Sequence, residues 1–190
     1  MWPEGTFLLD RKSFPYIDET FKSVGIFLVT RLSEQTFHFS REKRQGRTRT
    51  NVGMEQRVAF YPPDEDAKLL LVQQGDVEGN PWNIVAGKRE GKETFLETAI
   101  RESEEETGLL YGPEQFNFLA ACKRRVYLSA LLPYGFNPAL LVPRNEITGF
   151  QLVNVEDFYA GRYDVGLYRD DIILEHKYLL RDVFSMFGIS

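Results

Sequence analysis

The stretch from Gly87 to Leu110, GKREGKETFLETAIRESEEETGLL, concentrates glutamate on one short predicted helix. Like charges four residues apart on a helix repel and destabilise it, and a solvated helix usually alternates the signs of its charges. We expect this helix to begin near Glu93 and Thr94 and to end at Gly108, because glycine adopts the positive φ that suits a helix C-terminus. So much negative charge on one short element needs a physical reason.

The helical spacing divides the carboxylates into two groups. At about 100° per residue, Glu102, Glu105 and Glu106 fall on one arc, whereas Glu97 and Glu104 face solvent. The adjoining arc is predicted to face the core and consists of Phe95, Leu96, Ala99, Ile100, Ser103 and Thr107. Three convergent carboxylates repel one another unless a cation neutralises them, and such oxygen ligands suit Mg²⁺ or Mn²⁺.

Two interpretations of the acidic helix remain open at this point. Magnesium usually binds through a few carboxylates together with substrate phosphates, which favours cleavage of a phosphoanhydride. The cation would neutralise charge on the phosphates and lower the pKa of a bound water. The alternative is an acidic amphipathic helix that only makes the surface soluble.

The whole segment resembles the Nudix box, which is a glycine, five residues, a glutamate, seven residues, and then Arg-Glu-aliphatic-x-Glu-Glu-x-Gly-aliphatic. The chain matches this pattern at Gly87, Glu93, Arg101, Glu102, Glu105, Glu106, Gly108 and Leu109. It departs from the pattern at Ser103, where an aliphatic residue is usual. This is a change in packing more than in chemistry, and the Ser103 hydroxyl is expected to bond back to the carbonyl of Ala99.

The resemblance implies a fold and a set of site residues. The fold is α/β of the α+β kind, an αβα sandwich in which helices flank a mixed β-sheet. The implied metal ligands are Glu102, Glu105, Glu106 and the Gly87 carbonyl, with one of the glutamates (Glu105 or Glu102) also acting as the base. Glu93 and Arg101 are expected to pair and to brace the loop against the helix.

The resemblance also implies a function. Members of the family typically hydrolyse a nucleoside diphosphate linked to another group, so we expect a Mg²⁺- or Mn²⁺-dependent pyrophosphohydrolase in which water attacks one phosphorus of the diphosphate. The alternative is a non-catalytic Nudix-fold module that binds a nucleotide. Such modules commonly lose box glutamates, and the retention of all three here favours the enzyme.

Residues outside the box are candidates for the remaining chemistry. Glu146 precedes ITGFQLV, where several family members place an extra acidic residue facing the metal, and it is a candidate catalytic residue. Candidate substrate contacts are Arg125 in a basic cluster, Tyr127 where dinucleoside polyphosphate hydrolases carry a tyrosine, and Trp82 as a stacking surface. An ordinary role in a strand or loop is the alternative for each of them.

Composition bounds the class of protein. A length of 190 residues fits one domain, residues 1–190, in which residues 1–45 form an N-terminal extension or an extra hairpin. The net charge of −5 argues against a nucleic-acid partner and favours a small nucleotide-type substrate, although a basic stretch at 41–49 keeps a capped RNA end among the candidates. A homodimer interface is one alternative role for the N-terminal residues. The single cysteine, Cys122, and the absence of a signal-like or membrane-spanning run predict a cytoplasmic protein without membrane contact.

The remaining pattern alternates short strands with few helices. A hairpin is predicted from Ser23–Leu32 and Gln35–Ser40, followed by strands near 56–62, 67–74, 82–87, 116–134 and 148–158. Apolar residues at helical spacing predict a closing helix over 169–187, in which His176 is a core residue.

Overall fold

Strand β1, Ser23–Val29, is the centre of the fold in the computed structural model, which describes residues 14–41, 54–61, 63–122 and 124–159. The other strands are β2 (Gln35–Arg41), β3 (Met54–Phe60), β4 (Lys68–Gln74), β5 (Trp82–Asn83), β6 (Val85–Lys88), β7 (Asn117–Cys122), β8 (Arg125–Leu131) and β9 (Ile147–Asn154). The helices are α1 (Phe14–Thr20), α2 (Phe95–Thr107) and α3 (Val155–Tyr159), with 3-10 turns at Pro113–Gln115 and Pro138–Leu140.

A mixed sheet of seven strands is built around β1. This strand runs parallel to β8 along its whole length and antiparallel to β6 and β4. β9 lies beside β4, and β7 pairs antiparallel with β8. β2 and β3 form a separate two-stranded sheet. The predicted mixed sheet of an α+β fold is confirmed.

Apolar side chains cover both faces of β1. Ile26 and Leu28 lie in the core layer under α1 and α2, whereas Phe27 and Val29 lie in the opposite layer with Phe158 of α3. A strand that is buried on both faces has a continuous run of apolar residues, because neither set of alternating side chains is exposed to water. Helices therefore lie on both faces of the sheet, as in the predicted sandwich.

The ends of α2 are fixed by local sequence signals. Thr94 is the N-cap, and its side chain accepts a hydrogen bond from the Glu97 amide while the Glu97 carboxylate accepts one from the Thr94 amide. Gly108 ends the helix with φ 75°. The predicted start near Thr94 and the predicted end at Gly108 are confirmed.

Helix α1 was not predicted, and it docks on the first turn of α2. Asp18 Oδ1 accepts a hydrogen bond from the Phe95 amide at 2.9 Å, which satisfies one of the free N–H groups at the start of α2. The rings of Phe21 and Phe95 meet edge-to-face with centroids 6.3 Å apart. Ile17 and Phe21 thus belong to the core layer under α2.

The expected hairpin between Ser23–Leu32 and Gln35–Ser40 is not formed. β2 pairs with β3 over seven residue pairs, and β1 is occupied by β4, β6 and β8. The prediction relied on the polar break at Ser33 and Glu34, which is a local signal. The apolar faces of β1 are better buried in the middle of the large sheet than in a two-stranded ribbon.

Two predictions fall outside the described residues. They are the closing helix over 169–187, with His176, and nearly all of the basic stretch at 41–49. The assignment of residues 1–190 to a single domain also stays a prediction. None of the helices in the described part of the chain combines the length and apolarity needed to span a bilayer.

Ser103 lies on the core-facing side of α2 and is fully buried. Its hydroxyl makes no hydrogen bond with any described residue, so the expected bond to the Ala99 carbonyl is wrong. Thr107, one turn later, does bond back to the Ser103 carbonyl. An unsatisfied buried hydroxyl costs about 1–3 kcal/mol, so this helix is less stable than its packing allows.

We expect Ser103→Ala to raise the free energy of unfolding by about 1 kcal/mol, because it removes the unsatisfied hydroxyl and adds a better helix former. Urea unfolding of the two proteins measures this change. Thr107→Val is the matched control on the same helix and should lower stability, since its hydroxyl is bonded. A loss of stability in Ser103→Ala would show that the Ser103 hydroxyl has a partner.

Candidate functional site

The guanidinium of Arg101 joins the loop before α2 to the carboxylates on the helix. Its Nε and Nη2 donate to the two oxygens of Glu93 at 2.8 and 3.1 Å. Its Nη1 donates to Glu102 Oε1 at 2.8 Å and to Glu105 Oε2 at 3.0 Å, and Nη2 also donates to the Lys88 carbonyl at 2.8 Å. One planar side chain thus fixes the positions of three carboxylates.

Glu93 is held in its ionised form. Its carboxylate also accepts hydrogen bonds from the Glu90 amide at 3.1 Å and from the Thr98 hydroxyl at 2.9 Å. The hydrogen bond from Arg101 is the largest cause that lowers the pKa of Glu93 from 4.5 to about 2. The same pairing raises the pKa of Arg101, so both groups stay charged in water.

Glu102 is buried, with 8% of its surface exposed, and its carboxylate lies directly against Gly87. A Cβ atom on Gly87 would stand 1.8 Å from the carboxyl carbon of Glu102. Only glycine leaves room for this approach. Burial raises the pKa of Glu102, although the charge of Arg101 acts in the opposite direction.

Glu106 points toward the sheet and accepts a hydrogen bond from the Ala86 amide of β6 at 3.4 Å. Burial raises the pKa of Glu106 well above its usual value, and the negative charge of Glu102 adds to the effect. The one positive charge of Arg101 would not balance Glu102, Glu105 and Glu106 if all three were ionised. This is the electrostatic condition in which a cation binds favourably.

Glu146 comes to the same place from a distant part of the chain. It lies on the loop before β9, and its charge is one of those that raise the pKa of Glu106. The two preceding residues fasten this loop to α2: Asn145 Nδ2 donates to the Glu105 carbonyl at 2.9 Å, and Arg144 Nη1 lies 3.4 Å from the Glu104 carbonyl. The loop that carries Glu146 thus lies against the last turn of α2, which bears Glu105 and Glu106.

The donor set fits a hard divalent cation. The gathered groups are carboxylates and backbone carbonyls, which are the ligands that Mg²⁺ and Mn²⁺ prefer over zinc-type sulfur or imidazole ligands. Among the described residues, no three acidic, histidine or cysteine side chains already stand in the geometry of a metal site. Arg101 bonds Glu102 and Glu105, so these two carboxylates would turn toward a cation while keeping part of that contact.

The three predicted substrate contacts lie on strands β5 and β8 of the large sheet. Tyr127 is 2% exposed and packs on Phe27 in the core layer opposite α2, with ring centroids 6.4 Å apart. Gly25 leaves room for its ring, since a Cβ there would lie 3.1 Å from Tyr127. The ring of Tyr127 is thus buried in the sheet, and its predicted contact with substrate stays a prediction.

Trp82 lies at the start of β5, and Arg125 lies at the start of β8. Trp82 is partly buried against the same core layer as Tyr127, and its ring covers Gly149, where a Cβ would lie 3.3 Å from Cη2. Arg125 is half-buried and shares the strand face of Tyr127, because alternate residues of β8 point the same way. These positions give both residues structural contacts in the sheet.

An open groove lies beside Arg101 and Glu105, and it was not predicted from the sequence. The groove has a volume of about 510 Å³, and its other lining residues are Glu104, Val142, Arg144 and Asn145. The residues at 142–145 lie nearly forty positions after the helix, and their loop pattern carries no local signal of contact with it.

Comparison with known proteins adds a family and several structural neighbours. The family model described as NUDIX domain matches residues 53–172 of the chain.

Three solved structures resemble the chain in fold at low sequence identity. The C. elegans Ap4A hydrolase in a binary complex is 16% identical, and the TM-score is 0.46. The match covers 87% of this chain and 96% of the hydrolase chain. The E. coli dihydroneopterin triphosphate pyrophosphohydrolase is 15% identical, with 90% and 98% covered and a TM-score of 0.47. A MutT/nudix family protein from Enterococcus faecalis is 18% identical over 70% of this chain, which spans only 42% of that chain, with a TM-score of 0.45.

We expect Glu93→Gln to lower the free energy of unfolding by about 1 kcal/mol at pH 7, a value discounted because solvent screens this partly exposed pair. The folded chain lowers the pKa of Glu93 from 4.5 to about 2, so the pair stabilises the fold above pH 4.5 and loses its effect as the pH falls toward 2. The difference in stability between wild type and Glu93→Gln should therefore shrink over that range. Urea unfolding at several pH values measures it.

Glu65→Gln, at an exposed turn, is the control and should change stability by less than about 0.5 kcal/mol. A difference between wild type and Glu93→Gln that stays constant from pH 7 to pH 3 would contradict the assigned role of the Glu93 charge.

Proposed function

The chain belongs to the Nudix family, and on this premise we propose that it is a pyrophosphohydrolase that cleaves the diphosphate linkage of a nucleotide-type substrate with water and Mg²⁺ or Mn²⁺. The observation that carries this proposal is the arrangement of carboxylates on α2: Arg101 bonds both Glu102 and Glu105, and Glu106 follows on the same helix. The loop that bears Glu146 is hydrogen-bonded to the last turn of that helix. Burial raises the pKa of two of these groups, which fits a site that a cation completes.

Each carboxylate has a distinct place in the proposed mechanism. Glu102, Glu105 and Glu106 would hold the cation, with the Gly87 carbonyl as a further ligand. The cation would supply charge neutralisation on the diphosphate and a more acidic bound water. Arg101 keeps Glu102 and Glu105 in place and sets their distance from the loop through Glu93.

Glu146 is the best candidate for the base that takes the proton from the attacking water. It is exposed to solvent, and it is not one of the carboxylates that Arg101 bonds within the described part of the chain. Glu105 and Glu102 are the other candidates, but both already accept hydrogen bonds from Arg101. A base needs a lone pair that is free to reach the water, which favours Glu146.

The proposed substrate class is based on the diphosphate that a metal site would bind. It is not based on contacts with Trp82 or Tyr127. Dinucleoside polyphosphates, nucleoside triphosphates, nucleotide sugars and a capped RNA end all present a diphosphate to the same carboxylates. A panel of these four classes with Mg²⁺ identifies the preferred group. Wild-type protein that binds nucleotides from the panel but hydrolyses none of them would make it the non-catalytic module instead.

Glu105→Gln should lower kcat by more than the 10–100-fold that is typical for loss of a residue that only supports a metal ligand, because it removes a proposed ligand charge. Phosphate release from the best panel substrate with Mg²⁺ measures the change. Glu104→Gln, on the neighbouring solvent-facing position of the same helix, is the matched control and should stay within about twofold of wild type. Equal kcat values for wild type and Glu105→Gln would rule out the proposed role of Glu105.

Gly87→Ala should weaken Mg²⁺ binding about 10–100-fold while leaving the fold stable, because its new methyl group would push the Glu102 carboxylate out of position. Titration calorimetry with Mg²⁺ and a thermal unfolding scan measure the two effects. Gly91→Ala is a control in the same loop, where a Cβ meets nothing within 4 Å although φ is 54°. It should lose some stability and keep its Mg²⁺ affinity, whereas unchanged Mg²⁺ binding in Gly87→Ala would contradict the argument.

A further inference from the structure

The loop that carries Glu146 is bound to the rest of the molecule on both sides of that residue. Before it, the Asn145 side chain donates to the Glu105 carbonyl at 2.9 Å. At the residue itself, the Glu146 carbonyl accepts a hydrogen bond from the Gly75 amide at 2.7 Å. The Ile147 amide then closes a turn onto the Arg144 carbonyl at 3.0 Å. The backbone of Glu146 is therefore fixed between α2 and the end of β4.

Asn145 has the two properties that its position requires. Its φ is 52°, in the left-handed region that asparagine tolerates better than most residues. Its amide also supplies a donor to a carbonyl in the last turn of α2, where backbone acceptors lack partners within the helix. Aspartate would fit the backbone but has no donor, and its charge would face the negative end of the helix.

The acceptor of this bond belongs to one of the proposed metal ligands. The Asn145 amide holds the backbone of Glu105, so the loop and the ligand-bearing turn keep a fixed separation. Arg144 touches the same helix end, but its contact at 3.4 Å is long and lies one residue further from Glu146.

We propose that Asn145 is a positioning residue that sets Glu146 against the carboxylates of α2, an inference that rests on the proposed function. Asn145 itself touches neither the substrate nor the cation. It acts through Glu146, whose carboxylate must stand within about one water of the reacting phosphorus to take a proton. A displacement of about 1 Å at such a group costs on the order of a hundredfold in rate.

Two substitutions test the hydrogen-bond donor of Asn145 separately from its left-handed backbone conformation. Asn145→Gly keeps the left-handed φ and removes the amide, and Asn145→Asp keeps size and shape while removing the donor. We expect both to lower kcat about ten- to a hundredfold, with KM within about threefold of wild type, because the box residues that bind the diphosphate are untouched. Asn137→Gly is the matched control, since Asn137 in the same connection caps only the Ala139 amide at 3.0 Å, and its kcat should stay within about twofold.

A double-mutant cycle with Glu146→Gln shows whether Asn145 acts through Glu146. Once Glu146→Gln has removed the base, adding Asn145→Gly should lower kcat by less than about twofold more. A purely structural role would give the same loss in both backgrounds, so an undiminished effect of Asn145→Gly in Glu146→Gln would overturn the inference. Wild-type kcat in Asn145→Gly and Asn145→Asp, or in Glu146→Gln, would also overturn it.

Failure of the inference is distinguishable from failure of the proposed function. A wild-type protein that releases no phosphate from any diphosphate substrate with Mg²⁺ contradicts the proposed function. An active wild type whose Asn145 or Glu146 variants keep full kcat contradicts only the inference. Thermal unfolding of each variant identifies losses of activity that come from an unfolded chain.

Discussion

The bidentate pairing of Arg101 with Glu93 is the interaction on which the site depends. Through the same guanidinium the loop carbonyl of Lys88 and the carboxylates of Glu102 and Glu105 are tied to one point. A lysine offers a single ammonium without this planar fork and would hold fewer of these acceptors in a fixed arrangement. The positions of the Glu102 and Glu105 carboxylates therefore depend on Glu93 and Lys88, which precede the helix, as well as on the helix itself.

The acidic side chains of Glu102 and Glu106 on α2 lie in positions that are unfavourable for charged groups. Glu102 is buried against Gly87, and Glu106 is directed at the sheet with only a long hydrogen bond from Ala86. Charges taken out of water without full compensation cost several kcal/mol each, so a sequence selected for stability alone would not place them here. Local conflicts of this kind are typical of functional sites, and under the proposed function a divalent cation would relieve this one.

The sequence predicted the parts of this arrangement that depend on local spacing. Thr94 and Gly108 mark the ends of α2 because caps act within one turn, and the i, i+3, i+4 spacing places three glutamates together on any helix. The predicted pairing of β1 with β2 was wrong because the observed pairing depends on strands that lie far away in the sequence. Asn145 could not be found for the same reason: its bond to the Glu105 carbonyl spans forty residues.

In the proposed mechanism, metal binding depends on contacts within one short segment, and proton transfer depends on contacts between distant parts of the chain. The residues that would hold the cation come from one helix and its loop, so their geometry is fixed as soon as that segment folds. The proposed base comes from a separate loop, and its distance from the ligands depends on tertiary hydrogen bonds at Asn145 and Gly75. Since loops tolerate change more easily than packed helices, the proton-transfer part of the site is the part that can vary while the metal-binding part stays constant.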